Sequence, residues 1–132
     1  MKNIGLECQI YSSNHNGRFP ATFEELLRNT DLTSDIFVCP ETNDVRAPGD
    51  SVAEQADHLA VGHHLSYVYV GNGLTTSVPS PSTVVVAYEP LSNHRGAGSN
   101  FLFADGHVEW IAATAAKALI ATHPATQPTS AP

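Results

Sequence analysis

Charge is scarce in this chain: 14% of its 132 residues are charged, with 6 Lys and Arg against 13 Asp and Glu, for a formal net charge of −7. So few and scattered bases cannot build a stripe that tracks phosphates, which excludes nucleic acid as a partner. There is no run of about 18 apolar residues, and no charged lead-in to a shorter apolar core. The chain as given therefore predicts neither a membrane span nor a secretion signal. The two cysteines, Cys8 and Cys39, do not form a Cys-x-x-Cys pair. Also missing are a Gly-x-Ser-x-Gly elbow, a glycine-rich phosphate loop and paired carboxylates in a catalytic frame, so no enzymatic activity is expected. No internal repeat suggests a solenoid or propeller.

What is present suits one globular domain, since 42% of the residues are hydrophobic and the length is enough to bury a single core. Ile4, Cys8 and Tyr11 recur at helical spacing and predict a helix over residues 1 to about 13, stopped at Asn14-His-Asn-Gly17 with Asn16 or Gly17 in a left-handed cap. Thr22-Phe-Glu-Glu25 fits a capping box, with the Thr22 hydroxyl on the Glu25 amide and Glu25 reaching back to the cap amide. This explains Glu24-Glu25 without chemistry. The helix it opens places Phe23, Leu26 and Leu27 on one side. Ile36-Phe-Val38 reads as a brief strand, closed by Cys39-Pro40. Residues 41 to about 62 read as a long surface loop, with a short helical turn from Ser51 to His58 because Ser51 and Glu54 repeat the capping pattern.

Leu65–Val70 is rich in aromatic and β-branched residues and predicts a strand. Thr83–Glu89 predicts the most apolar and central one, ended by Pro90. Phe101–Ala104 and His107–Ile111 flank Asp105-Gly106, a strong hairpin signal in which both turn residues tolerate positive φ. Ala112–Ala121 has high helix propensity. The expected fold class is α+β: an N-terminal helix across an antiparallel sheet of about four strands, with a C-terminal hairpin and short helix. The domain should span residues 1–123. Residues 124–132, polar and proline-rich, predict a disordered tail.

The string from Asn93 to Ile111, a polar lead-in running into the Asp105-Gly106 hairpin, resembles the His-x9-Asp-Gly signature of bacterial pilin-like proteins made with a type IV prepilin leader; here ten residues separate His94 from Asp105. Residues 1–20 are similar to the family's segment where the long N-terminal helix ends and an Asn/Gly loop leads to Phe19-Pro20. The resemblance runs from residue 1 to about 111. It implies that Met1 is an artificial start, that residues 1 to 13 are the stub of a longer helix, and that the missing apolar part is cut by a prepilin peptidase and held in the inner membrane. It further implies a type II secretion pseudopilin or type IV pilus subunit, extracytoplasmic, partnered by identical or related subunits in a filament and needing no cofactor. Tyr67, Tyr69 and residues 41–62 are then candidate contacts, with core and solvated loop as their plainer explanation. The alternative is an extracytoplasmic module on the same fold that binds a ligand or metal.

Export would allow a Cys8–Cys39 disulfide tying helix to sheet edge, worth roughly 3 to 4 kcal/mol for a loop of about 30 residues; two small buried thiols are the other reading. Seven histidines raise zinc, with His63, His64, His94, Asp105 and His107 as ligands. The spacing opposes it, because adjacent His63 and His64 on a strand point to opposite faces. Calcium would have Asp44, Asp50 and Asp57, which match no family pattern. His94 reads as a loop anchor guiding Arg95–Asn100 into the hairpin, with Asp105 and Gly106 serving the turn. A general-base role for His94 beside Asp105 or Glu109 fails for want of a nucleophile.

Overall fold

The structure, a computed structural model, describes residues 1–30, 33–59 and 64–123. The tail 124–132, His63 and the last residues of the expected 41–62 loop lie outside the described residues. Four helices are named here as α1 (Lys2–Asn14), α2 (Phe23–Arg28), α3 (Val52–Leu59) and α4 (Ala113–Ala121). Four strands, β1 (Val68–Tyr69), β2 (Val85–Tyr88), β3 (Gly98–Phe103) and β4 (Val108–Ala112), form an antiparallel meander in chain order. This is the expected α+β architecture.

The sheet is covered on both faces. Ile4, Cys8, Phe23, Leu26, Leu27 and Tyr69 pack with Val86, Ala87 and Leu102 on one side. Val68, Val85, Tyr88, Phe101 and Phe103 meet Ala116, Leu119 and Ile120 of α4 on the other. Every residue of β2 is buried, as an apolar run in an interior strand requires. A bulge between Val85 and Ala87 breaks strict alternation against β3, so the consecutive residues Val86 and Ala87 both face α1 and α2.

Local chemistry sets the ends of the elements. Asn16 and Gly17 both take positive φ after α1, and the Gly17 amide returns to Ser12 O at 2.8 Å. The Thr22 hydroxyl accepts from the Glu25 amide at 3.1 Å, but Glu25 reaches one residue further back than expected, accepting from Ala21 N at 3.3 Å. Ser51 and Glu54 cap α3 in the same manner, and α3 is a full helix of 8 residues rather than a single turn.

Two strand predictions are corrected. Ser34–Phe37 is a 3-10 helix, because Thr33 and Asp35 bond each other and the Gln55 amide oxygen takes the Ser34 N–H, a local solution that competes with a ladder. The strand expected over residues 65–70 is shorter, Val68–Tyr69 with one further bond from Val70 N–H to Val86 O at 2.8 Å, and it starts late because the Ser66 amide is spent on Phe37 O at 2.9 Å. The hairpin differs in turn type. Gly106 N–H donates to Phe103 O and Phe103 N–H to His107 O, and only Gly106 (φ 91°) of the Asp-Gly pair has positive φ. That matches a three-residue loop in which glycine takes the bulge position, not a two-residue mirror-image turn.

α1 docks against this turn. The Gln9 side-chain amide donates to Ala104 O at 2.8 Å, and Gly5 sits so close that an added Cβ would lie 2.8 Å from Leu102 Cδ1 and 3.2 Å from Gly106 O. Alanine at position 5 gains about 1 kcal/mol of helix propensity but requires the flexible Leu102 tip to shift and the Gly106 carbonyl to give by a few tenths of an ångström, so the two effects nearly cancel. Valine overpacks and should cost about 2 kcal/mol. Thermal melts followed by circular dichroism should place Gly5→Ala near the parent and Gly5→Val well below it; equal melting of Gly5→Val and parent would refute this packing.

Candidate functional site

The polar lead-in to the hairpin is organised around one buried carboxylate. Glu89 directly follows β2, just before Pro90, and is 2% exposed. Its Oε2 accepts from His94 Nε2 at 2.7 Å, from Asn100 Nδ2 at 2.9 Å and from the Asn100 amide at 3.3 Å. The Ser99 hydroxyl adds a bond to Glu89 O at 2.6 Å. The chain between Glu89 and Asn100 is thus a loop clasped at its base by its own first residue. Within it, Leu91–His94 forms a 3-10 helix that stops at Arg95 in a left-handed conformation. Asn93 anchors the loop to the segment leading into β1 by donating to Ser66 O at 2.7 Å, and the His94 and Trp110 rings stand nearly perpendicular with centroids 5.1 Å apart.

Cys39 joins this cluster from 55 residues away, its Sγ lying 4.0 Å from His94 Nε2. Burial pushes the Glu89 carboxyl up, but hydrogen bonds from Cys39, Asn100 and His94 together outweigh it and hold the group below its ordinary value. Burial, followed by donation to Glu89, pushes the Cys39 thiol up to about 11, so in the metal-free protein it is a protonated and weak nucleophile. A cleft of about 380 Å³ opens beside the three groups, lined by Pro40, Tyr67, Asn100 and Val108 among others.

The remaining candidates fall elsewhere. Cys8 and Cys39 are free thiols and no bond joins them. Cys8 packs in the apolar core, where burial raises its thiol to about 12, while Cys39 turns to Glu89 and His94. Asp105 pairs with His107 Nδ1, and Glu109 lies 3.5 Å from His107 Nε2. His94 is on Glu89 instead, so neither Asp105 nor Glu109 is its partner. The hydrogen bond between Asp105 and His107 lowers the carboxyl and raises the imidazole, but the pair is half-exposed and contributes little to stability.

His64 is bonded to Val45 O. Asp44 accepts from Ser66, Asp50 precedes the α3 cap residue Ser51 and Asp57 pairs with Arg28, so these acids diverge rather than converge on a cation. Tyr67 and Tyr69 are buried, the latter donating to Pro20 O. Among the described residues, the group of three or more ligand-type side chains that converge is Cys39, Glu89 and His94, whose ligand atoms lie within 4.8 Å of one another.

Two of these three were not paired with His94 by sequence reasoning. For Glu89 a signal exists: a lone acid closing the most apolar segment, five residues before His94. For Cys39 there is none, because only tertiary folding closes that distance. No family model, curated protein or solved structure matches this chain.

Proposed function

We propose that this domain is the head of a pilin-like or pseudopilin subunit, extracytoplasmic and non-catalytic, which assembles with identical or related subunits into a filament of the type II secretion or type IV pilus kind. The observation that carries the reading is the meeting of two segments far apart in sequence. α1, which resembles the end of the pilin-type helix, lies on the Asp105-Gly106 turn, the end of the His-x9-Asp-Gly-like string, through Gln9 and Gly5. A second support is that α1 carries two apolar residues outside the core, among the exposed Lys2, Asn3 and Ser13. Ile4, Cys8 and Tyr11 face the core, while Leu6 and Ile10, one turn apart, are 60% and 46% exposed. An exposed apolar pair on an otherwise polar face is a place for a neighbouring subunit to pack. No helix among the described residues is long and apolar enough to cross a membrane, so anchoring in the inner membrane would require chain beyond these residues.

The test is to tag the gene in its native context and follow the product through cell fractionation and shearing. A form shortened by the prepilin peptidase, recovered in sheared filaments and left uncut when the peptidase is deleted, is the expected result. Recovery solely from the cytosol, or as an exported monomer never found in filaments, would overturn it; the second outcome would favour the stand-alone binding module.

A further inference from the structure

We propose that Cys39, Glu89 and His94 form a binding site for a borderline-soft divalent cation, zinc above all, with three protein ligands and a fourth position open to the neighbouring cleft. This holds whether or not the head joins a filament.

The ligand types come first. One sulfur, one imidazole nitrogen and one carboxylate oxygen are the donors zinc takes in tetrahedral sites, and a thiolate in the set disfavours calcium and magnesium, which take oxygen. With Cys39 and Glu89 both anionic and His94 neutral, a dication makes the centre neutral overall. Neutrality matters because Cys39 and Glu89 are 4% and 2% exposed, where an uncompensated charge is costly. On binding, the Cys39 proton leaves to solvent, the proton that His94 Nε2 shares with Glu89 is given up and the neutral ring carries its hydrogen on Nδ1 instead, and the metal takes the place of both.

The distances are close to what a metal needs. Zinc bonds of about 2.3 Å to sulfur and about 2.0 Å to nitrogen or oxygen place tetrahedral S and N ligands about 3.5 Å apart, and N and O about 3.3 Å. Here Cys39 Sγ and His94 Nε2 are 4.0 Å apart, and His94 Nε2 and Glu89 Oε2 2.7 Å. One gap must close and the other open by about half an ångström, within reach of side-chain rotation. The surroundings already orient the ligands. Asn100 holds the Glu89 carboxylate through its side chain and its amide, and the Trp110 ring packs perpendicular to the His94 ring, which is how outer partners fix a metal site. Three protein ligands beside a cleft are the pattern of a centre whose fourth ligand exchanges.

The test uses the reduced, chelator-treated full chain titrated with zinc chloride against a chromophoric chelator, then with cobalt chloride. Expected are one equivalent of zinc, a thiolate-to-cobalt charge-transfer band in the near ultraviolet and intense visible bands of tetrahedral cobalt. Cys39→Ser and His94→Gln should each weaken zinc by more than about 100-fold, Asn100→Ala by about 10- to 100-fold, and His107→Gln not at all. No stoichiometric binding, or binding that persists in Cys39→Ser, would overturn the site. If Cys39→Ser does not fold, the cobalt spectrum of the unaltered chain decides: the charge-transfer band supports the site, and a weak octahedral spectrum without it refutes it.

Discussion

Replacing Glu89 by alanine is expected to lower the unfolding free energy of the metal-free protein by about 3 kcal/mol or more. The carboxylate is buried and satisfies His94, both Asn100 donors and the Cys39 thiol at once. Removing it unpairs those donors, of which Cys39 is buried and His94 and Asn100 are partly buried beside the cleft, and each buried unmet group costs about 1 to 3 kcal/mol. Glu89→Gln keeps the shape but not the charge, and its amide turns a donor towards groups that also donate. It should fall between parent and alanine. Urea denaturation at neutral pH measures both, and a loss below about 1 kcal/mol for Glu89→Ala would remove Glu89 from the centre of the loop clasp.

The same group gives the domain an acid limit. Because Glu89 titrates below its ordinary 4.5 when folded, the unfolded chain binds the proton more readily. The contribution is therefore fully present above the unfolded pKa and lost as pH falls through the folded one. Stability of the parent should decline on acidification through that range, and the decline should be shallower in Glu89→Gln.

The second large effect is in the core between helices and sheet. Phe23 opens α2 with no exposure, its ring 5.0 Å from Phe37 and 4.8 Å from Tyr69 between centroids. Phe23→Ala should cost about 3 to 5 kcal/mol, the lost transfer energy plus the cavity left where three rings meet. For a domain of ordinary stability, about 5 to 15 kcal/mol, that is a large share. Leu6→Ala, on the exposed side of α1, should change the unfolding free energy by less than about 0.5 kcal/mol. Equal losses for the two would mean that α2 is not seated as described.

Much of this architecture was legible in the residues. Helical spacing of Ile4, Cys8 and Tyr11 marks α1, Thr22 and Glu25 mark the start of α2, and the apolar run before Pro90 marks an interior strand. Each is a local preference that agrees with the global packing. Ile36-Phe-Val38 misled because three apolar residues carry no period able to separate a strand from a short helix, and polar neighbours decided the matter. The ends of β1 were misjudged because a strand lasts only as long as a partner presents its backbone, and Ser66 bonds to Phe37 instead.

Sequence alone determined the types of most elements, the α+β class and the place of the hairpin, because these follow from side-chain periodicity and from turn and cap chemistry acting over a few residues. Tertiary structure alone decided that α4 covers the second face of the sheet and that Val86 and Ala87 share a face through a bulge. It alone brought Cys39 to Glu89 and His94 across 55 residues. Such contacts depend on how packed layers close over one another, and no local preference along the chain encodes that distance.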